Sequence, residues 1–249
     1  MKYAEPSWER RKRQGLYHYS SREFDTIAEV LLLQYDKKYL NRARPFPIEE
    51  YVELYQGINV EYLCLSPDMS IFGCSVAVSG NIPVWNMETQ SYEDAFVKEN
   101  TIVIEERLVT GDNPLYKLIL RFVLAHEMMH LLLQEKYLTI TKDRLPSFHT
   151  DENHYRTRLV NTFTDDDIIE WQANRGAISI LMPLKSVMRH IDEMIGLLPL
   201  YDVIPEIMIS EIAKTYQVTR ELAFYRLVDL PKFVQIFGKV EFKDLEFAD

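Results

Sequence analysis

The sequence predicts an α+β fold dominated by helix, with a small three- to four-stranded sheet and a C-terminal helical extension. Three observations predict it. Apolar residues recur at helical spacing up to Gly57, and again from Asn113 to the C-terminus. Between these stretches the period drops toward two, in short β-rich runs bounded by Gly, Pro and Asn. The 249 residues are 47% hydrophobic with 12 Phe and 15 Tyr, enough for one large domain with at most a small appendage.

Taken in order, the segment 20–40 opens with Ser20 and Glu23, a capping box, and continues with Phe24, Ile27, Val30 and Leu31 at helical spacing. The segment 45–57 has Pro47 at a helix start and Gly57 at its stop. Residues 58–65, 71–80, 82–86 and 100–106 read as short strands. From Asn113, one helical stripe carries Leu115, Leu118, Ile119, Phe122, Val123, His126, His130 and Leu133. A polar stretch at 134–161 reads as a loop. A second long helix over 162–183 is capped at Thr164 with Asp167 three residues on, and Pro183 stops it. Residues 208–227 have a bihelical pattern that suits either a helix-turn-helix or a packed helical hairpin. Their acidic context favours packing.

Composition narrows the function. The net charge of −10 argues against nucleic-acid binding over the whole surface, and the basic run 8–13 reads as a solvated turn. No apolar signal region follows Met1, and no apolar run approaches the roughly 18 residues that span a bilayer. The expectation is a cytoplasmic protein without membrane partners, whose Cys64 and Cys74 are buried free thiols.

The stretch "AHEMMHLLLQE" (125–135) carries the chemistry. His126 and His130 are four apart, on one helix face, so both imidazoles can converge on one cation such as Zn²⁺. Glu127 lies about 100° around the helix, where it can act on water without ligating. The competing reading is a pair of core histidines satisfied by hydrogen bonds alone. A third ligand is needed, and Lys136 stands where a third histidine would follow in one related motif. Glu170, with Asn174 four residues later on the same face, supplies a ligand and an orienter of a histidine N–H. The plain alternative for Glu170 is an exposed helix charge.

These residues, "RFVLAHEMMHLLL" (121–133) followed by "EWQANRGAISILMP" (170–183), resemble the ImmA/IrrE family of zinc metallopeptidases. The family pattern E-x-x-A-N-x-F-A-x-x-L-L-M-P is matched at Glu170, Ala173, Asn174, Ala177, Leu181, Met182 and Pro183. The resemblance covers roughly residues 20–183. It implies a zincin-like core over 1–183 with a helical extension over 184–249. It also implies a gluzincin-like site with His126, His130 and Glu170 as Zn²⁺ ligands and Glu127 as general base. In such families the substrate is a protein; for bacterial mobile-element members it is a helix-turn-helix repressor encoded nearby.

Three features depart from the family. Met129 precedes the second histidine in place of Gly, Gly176 stands where Phe is common, and the segment between His130 and Glu170 is long. That segment holds His149, His154 and Tyr155, candidate donors to an oxyanion, each equally readable as an ordinary loop residue. His154 is also an alternative third ligand. A regulator that keeps the zinc site and binds a protein or DNA partner without hydrolysis is the competing function.

Overall fold

The computed structural model describes residues 12–13, 16–140, 164–197 and 204–247, which form two compact units. In chain order the elements begin with β1 (Lys12–Arg13), β2 (Leu16–Tyr17), α1 (Ser21–Tyr35), α2 (Lys38–Asn41) and α3 (Ile48–Glu50). Strands β3 (Asn59–Leu63), β4 (Gly73–Val76), β5 (Gly80–Asn86), β6 (Ser91–Val97) and β7 (Thr101–Glu105) follow. The helices after them are α4 (Arg107–Thr110), α5 (Pro114–Ile140), α6 (Asp165–Leu181), α7 (Leu184–Leu197), α8 (Pro205–Tyr216), α9 (Arg220–Val228) and α10 (Pro231–Phe237). The fold is α+β and helix-dominated, as the change of period predicts. No described helix is long and apolar enough to cross a membrane.

The first unit is helical and comprises residues 22–46 and 178–249. Helix α1 buries Phe24, Ala28 and Leu32, a strict four-residue stripe. Val30, expected on that stripe, is instead exposed. Helices α8 and α9 form a tight pair because Gln217 takes the left-handed conformation (φ 53°) and Thr219 caps α9 by accepting from the Leu222 amide. Every residue of α9 from Leu222 to Leu227 is buried, which suits packing. Among them Arg226, fully buried, pairs with Asp25 of α1 at 2.8 Å, and the Ser179 hydroxyl donates to the same carboxylate at 3.0 Å.

The second unit comprises residues 2–21 and 47–177, so the boundary falls within α6 after Ala177. Its helix after Pro47 is a correction to the expected regular one: a single α turn passes into a π turn over Tyr51–Tyr55. Gly57 then reverses the chain at φ +66°, a conformation costly for any side chain. The central strand β7 is buried throughout, pairing in parallel with β3 (Val60 opposite Ile102) and antiparallel with β4 (Cys74 opposite Val103). This three-stranded sheet falls within the expected range.

The expected strand 82–86 belongs to a separate ribbon, β5 with β6. Strand β6 is legible only in retrospect, because Tyr92 and Phe96 lie on its solvent side and spoil the usual alternation. The ribbon's other face packs into a cluster of Leu65, Cys74, Val76, Ile82, Val97 and Val103. Both cysteines are free and buried, as expected.

The α6 cap forms as predicted: the Asp167 amide donates to Thr164 Oγ1 at 3.1 Å, and the Thr164 amide donates back to the Asp167 carboxylate at 2.9 Å. Helix α5 runs on to Ile140, where a loop had been expected from residue 134. The run 134–140 lacks Gly and Pro, so nothing in it breaks a helix.

Replacing Asp25 by Ala leaves the Arg226 guanidinium buried beside no carboxylate from α1. It should cost about 3–5 kcal/mol, read as a lowered urea midpoint with an unchanged slope.

Candidate metal centre

Helix α5 is enclosed over its middle three turns: every residue from Arg121 to Leu131 is buried. Most are Leu, Met, Val and Ala, but His126, Glu127 and His130 are buried with them. Polar groups are placed there only at a cost that specific partners must offset. For both histidines the partners are present.

His126 Nδ1 hydrogen-bonds Asn174 Oδ1 at 2.9 Å, and His130 Nδ1 hydrogen-bonds Gln134 Oε1 at 2.5 Å. The Gln134 amide nitrogen in turn donates to the Ile169 carbonyl at 3.1 Å, which fixes the amide with its oxygen toward the ring. Each Nδ1 therefore carries the proton, and each Nε2 presents a lone pair. The two Nε2 atoms lie 2.9 Å apart. The Glu170 carboxylate on α6 stands opposite them, at 3.3 Å from His126 Nε2 and 3.5 Å from His130 Nε2.

Three acceptor atoms thus converge from two helices, with all ligand atoms within 4.8 Å of one another. Such a group is mutually repulsive unless a proton or a cation sits among them. Burial works against charge on His126, yet Glu170, with Glu127 and Asn174 adding, holds its pKa above the ordinary value. His130 goes the other way: burial, with the neighbouring His126, pushes it down to about 4 against the pull of Glu170. A proton finds one place here and not two. A divalent ion satisfies all three atoms at once, so the donor set fits one. Two imidazoles and a carboxylate are also a ligand set that leaves coordination positions open.

Glu127 is placed differently. It is buried, it is outside the three-ligand group, and its Oε2 has no hydrogen-bond partner. Burial pushes its pKa up to about 7; Glu170 adds to the rise, while His126 and Ser75 oppose it. Strand β4 makes its close wall through Gly73, where a Cβ would lie 2.5 Å from Val123 Cγ1 and 3.0 Å from Glu127 Oε1. Only glycine lets β4 lie this near to α5.

The structure brings together His126, Glu127, His130, Glu170 and Asn174, the residues singled out from the sequence. His149, His154 and Tyr155 lie outside the described residues. Sequence reasoning missed Gln134 and Gly73. For Gln134 a signal existed, since it continues the four-residue spacing of His126 and His130 along one face. Gly73 stands 54 positions before Glu127 in the chain, and nothing local marks its contact. No protein-family model and no curated protein matches the chain.

Two measurements check the centre. Zinc titrated against a chromophoric chelator should load one ion per chain, and His126→Ala or Glu170→Ala should abolish that loading. Gln134→Leu should weaken it by about 10- to 100-fold while far-ultraviolet circular dichroism stays unchanged, because the lost group orients a ligand without being one.

Proposed function

We propose that the protein is a cytoplasmic, zinc-dependent endopeptidase with a zincin-like core. The observation that carries this reading is the pairing of a three-ligand group with a second, non-ligating carboxylate buried one residue from the first ligand. A structural metal site is closed by four protein ligands and has no use for a buried acid beside it with one oxygen left without a hydrogen bond. A hydrolytic site needs three ligands and a base.

His126, His130 and Glu170 would hold the ion, oriented by Asn174 and Gln134. Bound zinc supplies Lewis acidity toward a carbonyl oxygen and makes a nearby water more acidic. Glu127 takes the proton as that water attacks the scissile carbonyl, and then delivers it to the amine nitrogen as the C–N bond breaks. Its confinement between α5 and β4 suits the role, since a carboxyl with few other partners exchanges a proton readily and keeps one position. Burial of Glu127 in α5 keeps most bulk water away from its carboxyl.

The substrate class is protein, and the resemblance to the ImmA/IrrE peptidases points to a helix-turn-helix repressor encoded beside this chain on a bacterial mobile element. Incubating the zinc-loaded protein with that repressor should give two defined fragments by mass spectrometry. Glu127→Gln should keep one zinc per chain and lower the cleavage rate by about 10²–10⁴-fold. A Glu127→Gln protein that cleaves at the original rate would remove the assigned base, whereas a zinc-loaded parent that leaves the repressor intact would remove the peptidase reading.

A further inference from the structure

The β5–β6 ribbon has one face that the core uses and one that it does not. Ile82, Val84 and Val97 point inward to the cluster that also contains Cys74 and Val76 of β4. On the opposite face the antiparallel register sets Trp85 across from Tyr92, Pro83 across from Asp94 and Asn81 across from Phe96. Trp85 and Tyr92 meet edge to face at 5.2 Å. Tyr92 is 52% exposed and Phe96 66% exposed, with the exposed Asp94 between them along β6.

Two large aromatic rings on one strand face that the core does not use form an apolar surface available to a partner. Their arrangement is specific. A carboxylate flanked along one strand by two rings offers a cation both an ion pair and π faces.

The surroundings have the same sign. Residues 47–134 hold thirteen Asp and Glu against four Lys and Arg, so almost the whole net charge of the chain comes from this stretch. Two of those four cations are already held by carboxylates: Arg107 by Glu105, and Arg121 by Glu49. The ribbon itself, residues 80–97, carries Glu88, Glu93 and Asp94 and no Lys or Arg, so its own charge is negative and would steer a cationic partner toward the face.

We infer that the Trp85–Tyr92–Asp94–Phe96 face docks an arginine- and lysine-rich segment of the polypeptide on which the metal centre acts. This rests on the peptidase reading for the identity of the polypeptide, though not for the binding itself. The link to the site is structural. The ribbon's inner face shares its core with β4, whose Gly73 lies against Glu127, so a docked segment is held by the same packed body that holds the base. Area is small on a two-stranded face, so the binding is a recruiting contact that raises local substrate concentration and leaves selection of the scissile bond to the cleft.

The test uses the full chain, zinc-loaded and carrying Glu127→Gln so that nothing is cleaved. A labelled short peptide of alternating arginine and serine is titrated by fluorescence anisotropy, beside the same peptide with glutamate for arginine. The arginine peptide should bind, more weakly as salt rises, and the glutamate peptide should not. The double variant Tyr92→Ser/Phe96→Ser and, separately, Asp94→Lys should each weaken binding about tenfold or more. Circular dichroism and thermal melting of both variants should match the parent, since all three side chains are exposed.

Equal binding of the two peptides, or binding untouched by either variant, overturns the inference. So does sedimentation showing a dimer that the double variant dissociates, which would make the occupant a second copy of this chain. Peptide binding lost in the variants, in a protein whose native Glu127 form cleaves nothing, would leave the docking face standing and remove only the peptidase reading.

Discussion

Two imidazole nitrogens 2.9 Å apart and a carboxylate within 3.5 Å of both are an arrangement that a folded chain does not reach by packing alone. The three atoms meet beside a buried stretch of α5 in which Phe122 packs against the His126 ring. The chain nevertheless spends two further side chains, Asn174 and Gln134, on holding both rings in this orientation. Each of those amides takes the outer ring proton and so dictates that the inner nitrogen is bare. The orienting groups and the ligand atoms together form a set that fits a cation.

The rest of the sheet-bearing unit can be understood as scaffolding for that convergence. Helix α5 carries His126, His130 and Gln134 on one face with Glu127 about 100° round from it, and the fully buried β7 gives β4 a fixed partner next to it. Gly73 removes the one side chain that would force β4 away from Glu127. The helical unit solves a related problem by another route. There a buried arginine is matched by an aspartate and a serine hydroxyl, a set whose charges cancel without any added ion. The contrast separates a buried polar set that balances itself from one that leaves room for an ion.

Much of this was legible in the sequence because helices write their geometry locally. The spacing of His126, Glu127 and His130, the Thr164–Asp167 box and the pair Glu170 and Asn174 all report relations within a turn or two, and all of them formed. Features set by distant contacts were not legible. The π turn at Tyr51–Tyr55 follows a start and a stop signal that fit an α-helix equally well. Strand β6 carries its aromatic side chains outward, so the alternation that marks a half-buried strand points the wrong way. The polar residues after Gln134 make that stretch read as a loop, although the helix continues to Ile140. Gly73 could be found only by bringing two elements into contact.

The Gln134–Ile169 link adds something to the geometry it secures. Helix α5 and helix α6 are separated by a long stretch of chain, and the metal group is built from both. An ion seated there would act as a clasp between them, bound by the native arrangement and by nothing in the unfolded chain. At a free concentration a thousandfold above its dissociation constant it would add about 4 kcal/mol to folding, a large share of what holds a typical domain together. The lifetime of this protein in its compartment would then follow the local supply of the metal, so that scarcity would remove the molecule as well as silence it.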